Sequence, residues 1–189
     1  IEFGETTQAA AALKQLHGDG GDPADLAFDE AETGKLGPAR RLVATIDPRT
    51  EKNTLRVYID LPLLRAELAL KAHKPNEAVQ LLDPAQPYQL RDFAIPYLRA
   101  RAETDAGQFD LAAQDYRLIL DNQGVDPLAP AYSLSHLGLA RVLVKQKKIA
   151  PAYAEYRRFL DLWKNADQNL LILAQARNEY AKLESSQNK

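Results

Sequence analysis

The sequence predicts an all-α chain, a stack of helical hairpins finished by one further helix at its C-terminal end. Three observations carry that expectation. Apolar and charged residues, rich in Ala and Leu, alternate at helical spacing through most of the 189 residues. Gly, Pro and Asp collect at short intervals that punctuate helices. A short motif recurs at a fixed period, the mark of an array rather than of an irregular bundle.

The period is visible when Asp60-Leu61-Pro62-Leu63-Leu64-Arg65-Ala66 is set beside Ala94-Ile95-Pro96-Tyr97-Leu98-Arg99-Ala100, where Pro, Leu, Arg and Ala recur at an offset of 34. Within each unit one small residue follows another by 12 positions: Ala27 and Ala39, Ala66 and Ala78, Ala100 and Ala112, Ala140 and Ala152. The second members of these pairs stand 39, 34 and 40 residues apart, so connecting loops vary while the internal ruler is kept. Where two helices of a hairpin cross, a side chain larger than Ala would hold the backbones apart. Four residues past each second Ala, Val43, Leu82, Tyr116 and Tyr156 are placed to fill the space toward the next hairpin.

In order along one domain of residues 1–189, the pattern predicts an unpaired helix over 5–17 and repeats over about 22–46, 53–83, 92–121 and 130–164. A capping helix follows over 168–183, with Asp167 at its start. Gly124 is placed to end the helix before the longest loop. One stretch admits two readings: Leu55, Val57, Ile59 and Leu61 alternate as a half-buried strand does. Yet Pro62 suits the first turn of a helix, and a lone strand lacks a partner. A helix kinked or started at the proline is the favoured expectation.

The spacing resembles the tetratricopeptide repeat (TPR), with its small residues at the crossing and an aromatic beyond. The unit with Ala100, Gly107, Phe109, Ala112 and Tyr116 matches best; His73 and Lys147 depart from the turn glycine, and the family's tryptophan is missing from its position. The resemblance implies a right-handed superhelical α-solenoid of TPR-like helix-turn-helix repeats. Tyr153-Ala154-Glu155-Tyr156-Arg157-Arg158-Phe159-Leu160-Asp161-Leu162-Trp163-Lys164-Asn165-Ala166-Asp167 and Asn178-Glu179-Tyr180-Ala181-Lys182-Leu183 are similar to the C-terminal TPR region of acidobacterial-type serine/threonine protein kinases and winged-helix regulators. So are Leu61-Pro62-Leu63-Leu64-Arg65-Ala66 and the run from Leu81 to Leu90. That likeness implies a regulatory or scaffolding tail of a bacterial signalling protein. No Gly-rich nucleotide loop or other kinase motif occurs in the chain, so no kinase chemistry is carried onto its residues.

Composition narrows the function classes. The 24 basic and 26 acidic side chains leave a formal charge of −2, which gives no general attraction to nucleic acid or an anionic membrane. Cysteine is absent, so disulfides, zinc ribbons and thiol catalysis are excluded while the compartment, cytoplasmic or periplasmic, stays open. The apolar run Leu170 to Ala174 is far short of the roughly 18 residues that cross a bilayer. The chain begins at Ile1 and contains no methionine, and it is read as a soluble piece of a longer protein.

No constellation points to catalysis, cofactor or metal. His17, His73 and His136 are far apart and lack partners at ligand spacing, so they are read as surface or packing residues. Gly18-Asp19-Gly20-Gly21-Asp22 follows no strand and lacks the alternating ligands of a calcium loop, so it is read as a linker. Arg157, Arg158, Lys145, Lys147 and Lys148 form a modest basic cluster, read as a solvated face, with a docking patch for an acidic partner as the alternative.

The expected activity is therefore protein or peptide binding, with no enzyme function in this chain. Counting from the small residues, the first helices of the pairs turn Leu63, Glu67, Leu70 and Lys71, then Tyr97, Arg101 and Asp105, then Leu137, Arg141, Val144 and Lys145 toward a peptide-binding groove. Such a lining suits an extended or helical peptide with acidic character. An RNA-reading repeat, which needs a basic groove, and a purely structural spacer are the alternatives.

Overall fold

The computed structural model describes residues 23–32, 34–49 and 51–187. The expected helix over 5–17, His17 and the Gly18–Asp22 run lie outside the described residues. Helices α1 (Pro23–Glu32), α2 (Leu36–Thr45), α3 (Leu61–Lys71), α4 (Pro75–Leu81), α5 (Ala94–Asp105), α6 (Phe109–Asp121), α7 (Pro130–Lys145), α8 (Ile149–Leu162) and α9 (Leu171–Gln187) follow in order, with no strand among the described residues. None of these helices is long and apolar enough to cross a membrane. The chain gathers into two compact units, one reaching to Tyr88 and the other beginning at Gln89.

The paired alanines do what their spacing requires. All eight, from Ala27 to Ala152, are 0% exposed. Ala27 and Ala39 lie in one core of the first unit, and Ala100 and Ala112 in one core of the second. Leu82, Tyr116, Tyr156 and Val43, four residues beyond, are buried as well.

Each hairpin is closed by the same turn. Gly34, His73, Gly107 and Lys147 all take positive φ, at 83°, 58°, 75° and 60°. Their N–H groups donate to carbonyls three residues back, and the following N–H donates five residues back, as in Lys35 to Glu30, Lys74 to Ala69, Gln108 to Glu103 and Lys148 to Leu143. This is the paired bond of a Schellman C-cap, which satisfies carbonyls the helix end leaves open. The residue after the turn then accepts the N–H of the second small residue: Lys35 from Ala39, Lys74 from Ala78, Gln108 from Ala112 and Lys148 from Ala152.

The ambiguous stretch is helical. The Asn53 side chain accepts the N–H groups of Leu55 and Arg56 at 3.1 and 3.3 Å, capping a helix that runs into α3 through a π-helical turn at Arg56–Asp60. Leu61 donates to the carbonyl of Arg56, five residues back. The cause is Pro62, which brings no N–H and whose ring crowds the carbonyl four residues before it, so the ladder widens just upstream. Of the alternating residues only Ile59 and Leu61 are buried, whereas Leu55 is 40% exposed. Pro96 needs no such adjustment because it sits in the first turn of α5.

One helix ends where the repeat over 92–121 placed it, but with a different cap, and one helix start moves. Helix α6 ends at Asp121 with Asn122 as its cap, the Asn122 amide donating to the Leu118 carbonyl at 2.7 Å, so Gly124 lies beyond the helix end. Asp167 closes a turn upstream of α9, accepting from the Asn169 N–H at 2.9 Å, and α9 begins four residues later.

In the first unit, α3 packs against both α1 and α2, and Leu61, Leu64 and Leu68 join Ala31, Val43 and Ile46 in one core. In the second unit α6 packs on α5 and α7, and α8 packs on α7 and α9. Helix α9 covers the last hairpin with Ile172, Leu173 and Ala176, set against Tyr156 and Phe159.

Candidate functional site

Helices α5 and α7, the first helices of successive hairpins in the second unit, wall a cavity of about 280 Å³. Helix α5 supplies Tyr97, Arg101, Thr104 and Asp105, residues that a helix places on one face. Helix α7 supplies Leu134, Leu137, Gly138 and Arg141, again one face. Tyr116 of α6 and Ile172 of α9 complete the wall.

Packing sets this geometry. Tyr116 is 3% exposed and meets Tyr97 edge to face, with ring centroids 6.1 Å apart. A Cβ at position 138 would clash with Cζ, Cε1 and the hydroxyl of Tyr116, so glycine lets α7 approach α6 this closely. The Arg101 guanidinium lies 6.0 Å over the Tyr97 ring, a cation–π distance. The Thr104 hydroxyl is turned back to the Ala100 carbonyl at 2.7 Å.

Arg141 already holds a carboxylate. It donates two hydrogen bonds to Glu179 of α9, at 2.9 and 3.0 Å, and the Tyr156 hydroxyl donates to the same carboxylate at 2.8 Å. Burial works against the charge on Arg141, but the bonds to Glu179 outweigh it and raise its pKa further. Burial, and then the hydrogen bond to Glu179, push the Tyr156 hydroxyl well above its ordinary range. A planar guanidinium gripping a carboxylate through two parallel bonds is the strongest form of that recognition.

Of the residues expected in a groove, Tyr97, Arg101, Asp105, Leu137 and Arg141 line this cavity together. Val144 instead packs against the two cores of the second unit, and Lys145 is exposed outside the lining. In the first unit Leu63, Glu67 and Leu70 are buried, and Lys71 reaches back to Glu67 at 3.2 Å, so that face offers a peptide little surface. Leu134 and Gly138 extend the α7 face that the count from Ala140 had entered at Leu137 and Arg141, and Thr104 sits beside Asp105. Tyr116 was legible as a filler between hairpins, whereas no local signal marks Ile172 or Glu179, which arrive from a helix distant in sequence.

The histidines take packing or turn positions where they are described. His136 is 5% exposed, its Nδ1 lies 2.6 Å from Glu155, and Tyr132 meets its ring edge to face. Arg158 donates to the other oxygen of Glu155 at 2.9 Å. Among the described residues no group of three or more His, Asp or Glu side chains is placed to hold a metal ion. Comparison with models of known protein families, with curated proteins and with solved structures returned no match.

Proposed function

We propose that the chain is a tetratricopeptide-type interaction module that holds an extended or helical peptide of partly acidic character, acting by shape and contact rather than by catalysis. One observation carries the reading: the second-unit cavity sets the Arg101 guanidinium, beside an Arg141 held by Glu179, against an apolar wall of Tyr97, Leu134, Leu137 and Ile172. A concave lining of a few convergent polar groups on apolar walls is how proteins orient a ligand.

The hairpins with their repeated turn are read as successive steps of a right-handed superhelical solenoid, with α9 as its cap. The similarity of Tyr153–Asp167 and Asn178–Leu183 to the tails of bacterial kinases and regulators supports a scaffolding or regulatory role within a larger signalling protein.

The test is a titration of fluorescein-labelled peptides in which Leu alternates with Glu, followed by anisotropy, on the parent chain and on Arg101→Glu. Micromolar binding is about −8 kcal/mol, and a single anchor of about 1 to 2 kcal/mol shifts it roughly tenfold. Arg101→Glu is expected to weaken the acidic peptide by at least about that factor while circular dichroism stays helical. Unchanged capture by a folded variant removes the cavity from the proposal.

A further inference from the structure

The first unit carries a second concavity, of about 640 Å³, on a different set of helices. It opens between α2 and α4, the second helices of two successive hairpins, with α3 contributing to its lining. Half-buried Leu81, with the edges of the core residues Val43 and Leu68, gives it a small apolar floor. Three cations stand around that surface: Arg40 on α2, Arg65 on α3 and Lys74 in the turn before α4.

The charge there is one-sided. Among the described residues Glu77 is the one carboxylate in the lining, and it is already paired with Lys74 at 2.9 Å. Arg40 and Arg65 make no ion pair with a carboxylate among the described residues. Two guanidinium groups without an ion pair among the described residues, flanking apolar side chains, match a ligand on two counts. A phosphate backbone would use the cations and waste the apolar surface. A flat anionic bilayer would not enter a concavity. An amphipathic helix with leucine-like residues on one face and carboxylates beside them uses both features, laid between α2 and α4 as another helix of the array would be. The shorter wall, α4, is 7 residues or about 10 Å long, which matches an inserted helix of about two turns.

We infer that this groove of the first unit is a docking site for an acidic amphipathic helix of a partner protein, separate from the cavity in the second unit. The test uses the full chain in an Arg101→Ala background, which weakens the second-unit cavity without adding a carboxylate that would hold the lysine peptide. Two labelled helical peptides serve as probes, one with Leu on one face and Glu on its flanks, the other identical but with Lys for Glu. The acidic peptide is expected to bind and the lysine peptide not. Adding Arg40→Glu and Arg65→Glu should weaken the acidic peptide by about tenfold or more and create binding of the lysine peptide. Should the double reversal disturb folding, Arg40→Glu alone, at an exposed position, is expected to weaken the acidic peptide by about threefold. The inference is overturned if the acidic peptide fails to bind, if its binding ignores the reversals, or if only polyuridylate RNA or phosphatidylserine vesicles bind.

Discussion

A left-handed residue closes each of the four hairpins, and only Gly34 and Gly107 are glycines; His73 and Lys147 hold φ of 58° and 60° with a Cβ in place. For an L side chain that conformation costs about 1–2 kcal/mol, whereas the extra chain entropy of glycine costs about 0.5–1 kcal/mol. Lys147→Gly should therefore stabilise the protein by about 0.5–1 kcal/mol, read as a higher denaturation midpoint at unchanged slope. Gly107→Ala should do the reverse by a similar amount. No change in either variant would mean that the paired Schellman bonds do not set the turn's energy. At this scale the sequence was partly legible: the ruler of alanines marked where the turns fall, but residue type alone made His73 and Lys147 look like departures. The bonds from Lys74 to Ala69 and from Lys148 to Leu143 impose the backbone, and the side chain only adjusts its cost.

The approach of α6 and α7 is decided by one pair, Gly138 and the ring of Tyr116. Helix propensity alone says that Gly138→Ala in mid-helix gains about 1 kcal/mol. The added Cβ meets the far end of the ring of Tyr116, a residue that is 3% exposed, and overpacking of that kind costs about 1–3 kcal/mol. A net loss of about 1 kcal/mol is expected, measured by thermal unfolding; a gain would show that the ring swings aside freely. Element boundaries were legible to within a few residues, because the period and the turn residues both report them. The stretch from Leu55 to Leu61 was not, because alternation of apolar residues is common to a strand and to a helix widened into a π turn before proline. The cavity was legible on its α5 and α7 walls, where phase counted from Ala100 and Ala140 reaches Tyr97, Arg101, Asp105, Leu137 and Arg141. Its closure by Ile172, and the grip of Glu179 on Arg141, depend on where α9 folds back, and no local pattern states that.

For the molecule as a whole, stability should depend on pH through one buried carboxyl. Glu103 is 4% exposed and its Oε2 has no hydrogen-bond partner. One turn away Arg99 spends its guanidinium on Asp115, at 2.5 and 2.6 Å, and on Gln89 at 2.7 Å. Burial, and then the negative charge of Asp115, push the Glu103 carboxyl up to about 7 from an ordinary 4.5, with Arg99 opposing them. Between those values the folded chain binds a proton that the unfolded chain has released. Stability is then greatest below the unfolded value and falls as pH rises toward and past 7. Glu103→Gln keeps the shape and never carries the charge, so it should match the parent near pH 4 and exceed it above pH 7, by at most about 3 kcal/mol. Denaturant midpoints of parent and variant across that range measure the difference directly. Parallel curves would mean that water or local opening solvates Glu103, and that the interior at Arg99 and Asp115 is less closed than its burial suggests.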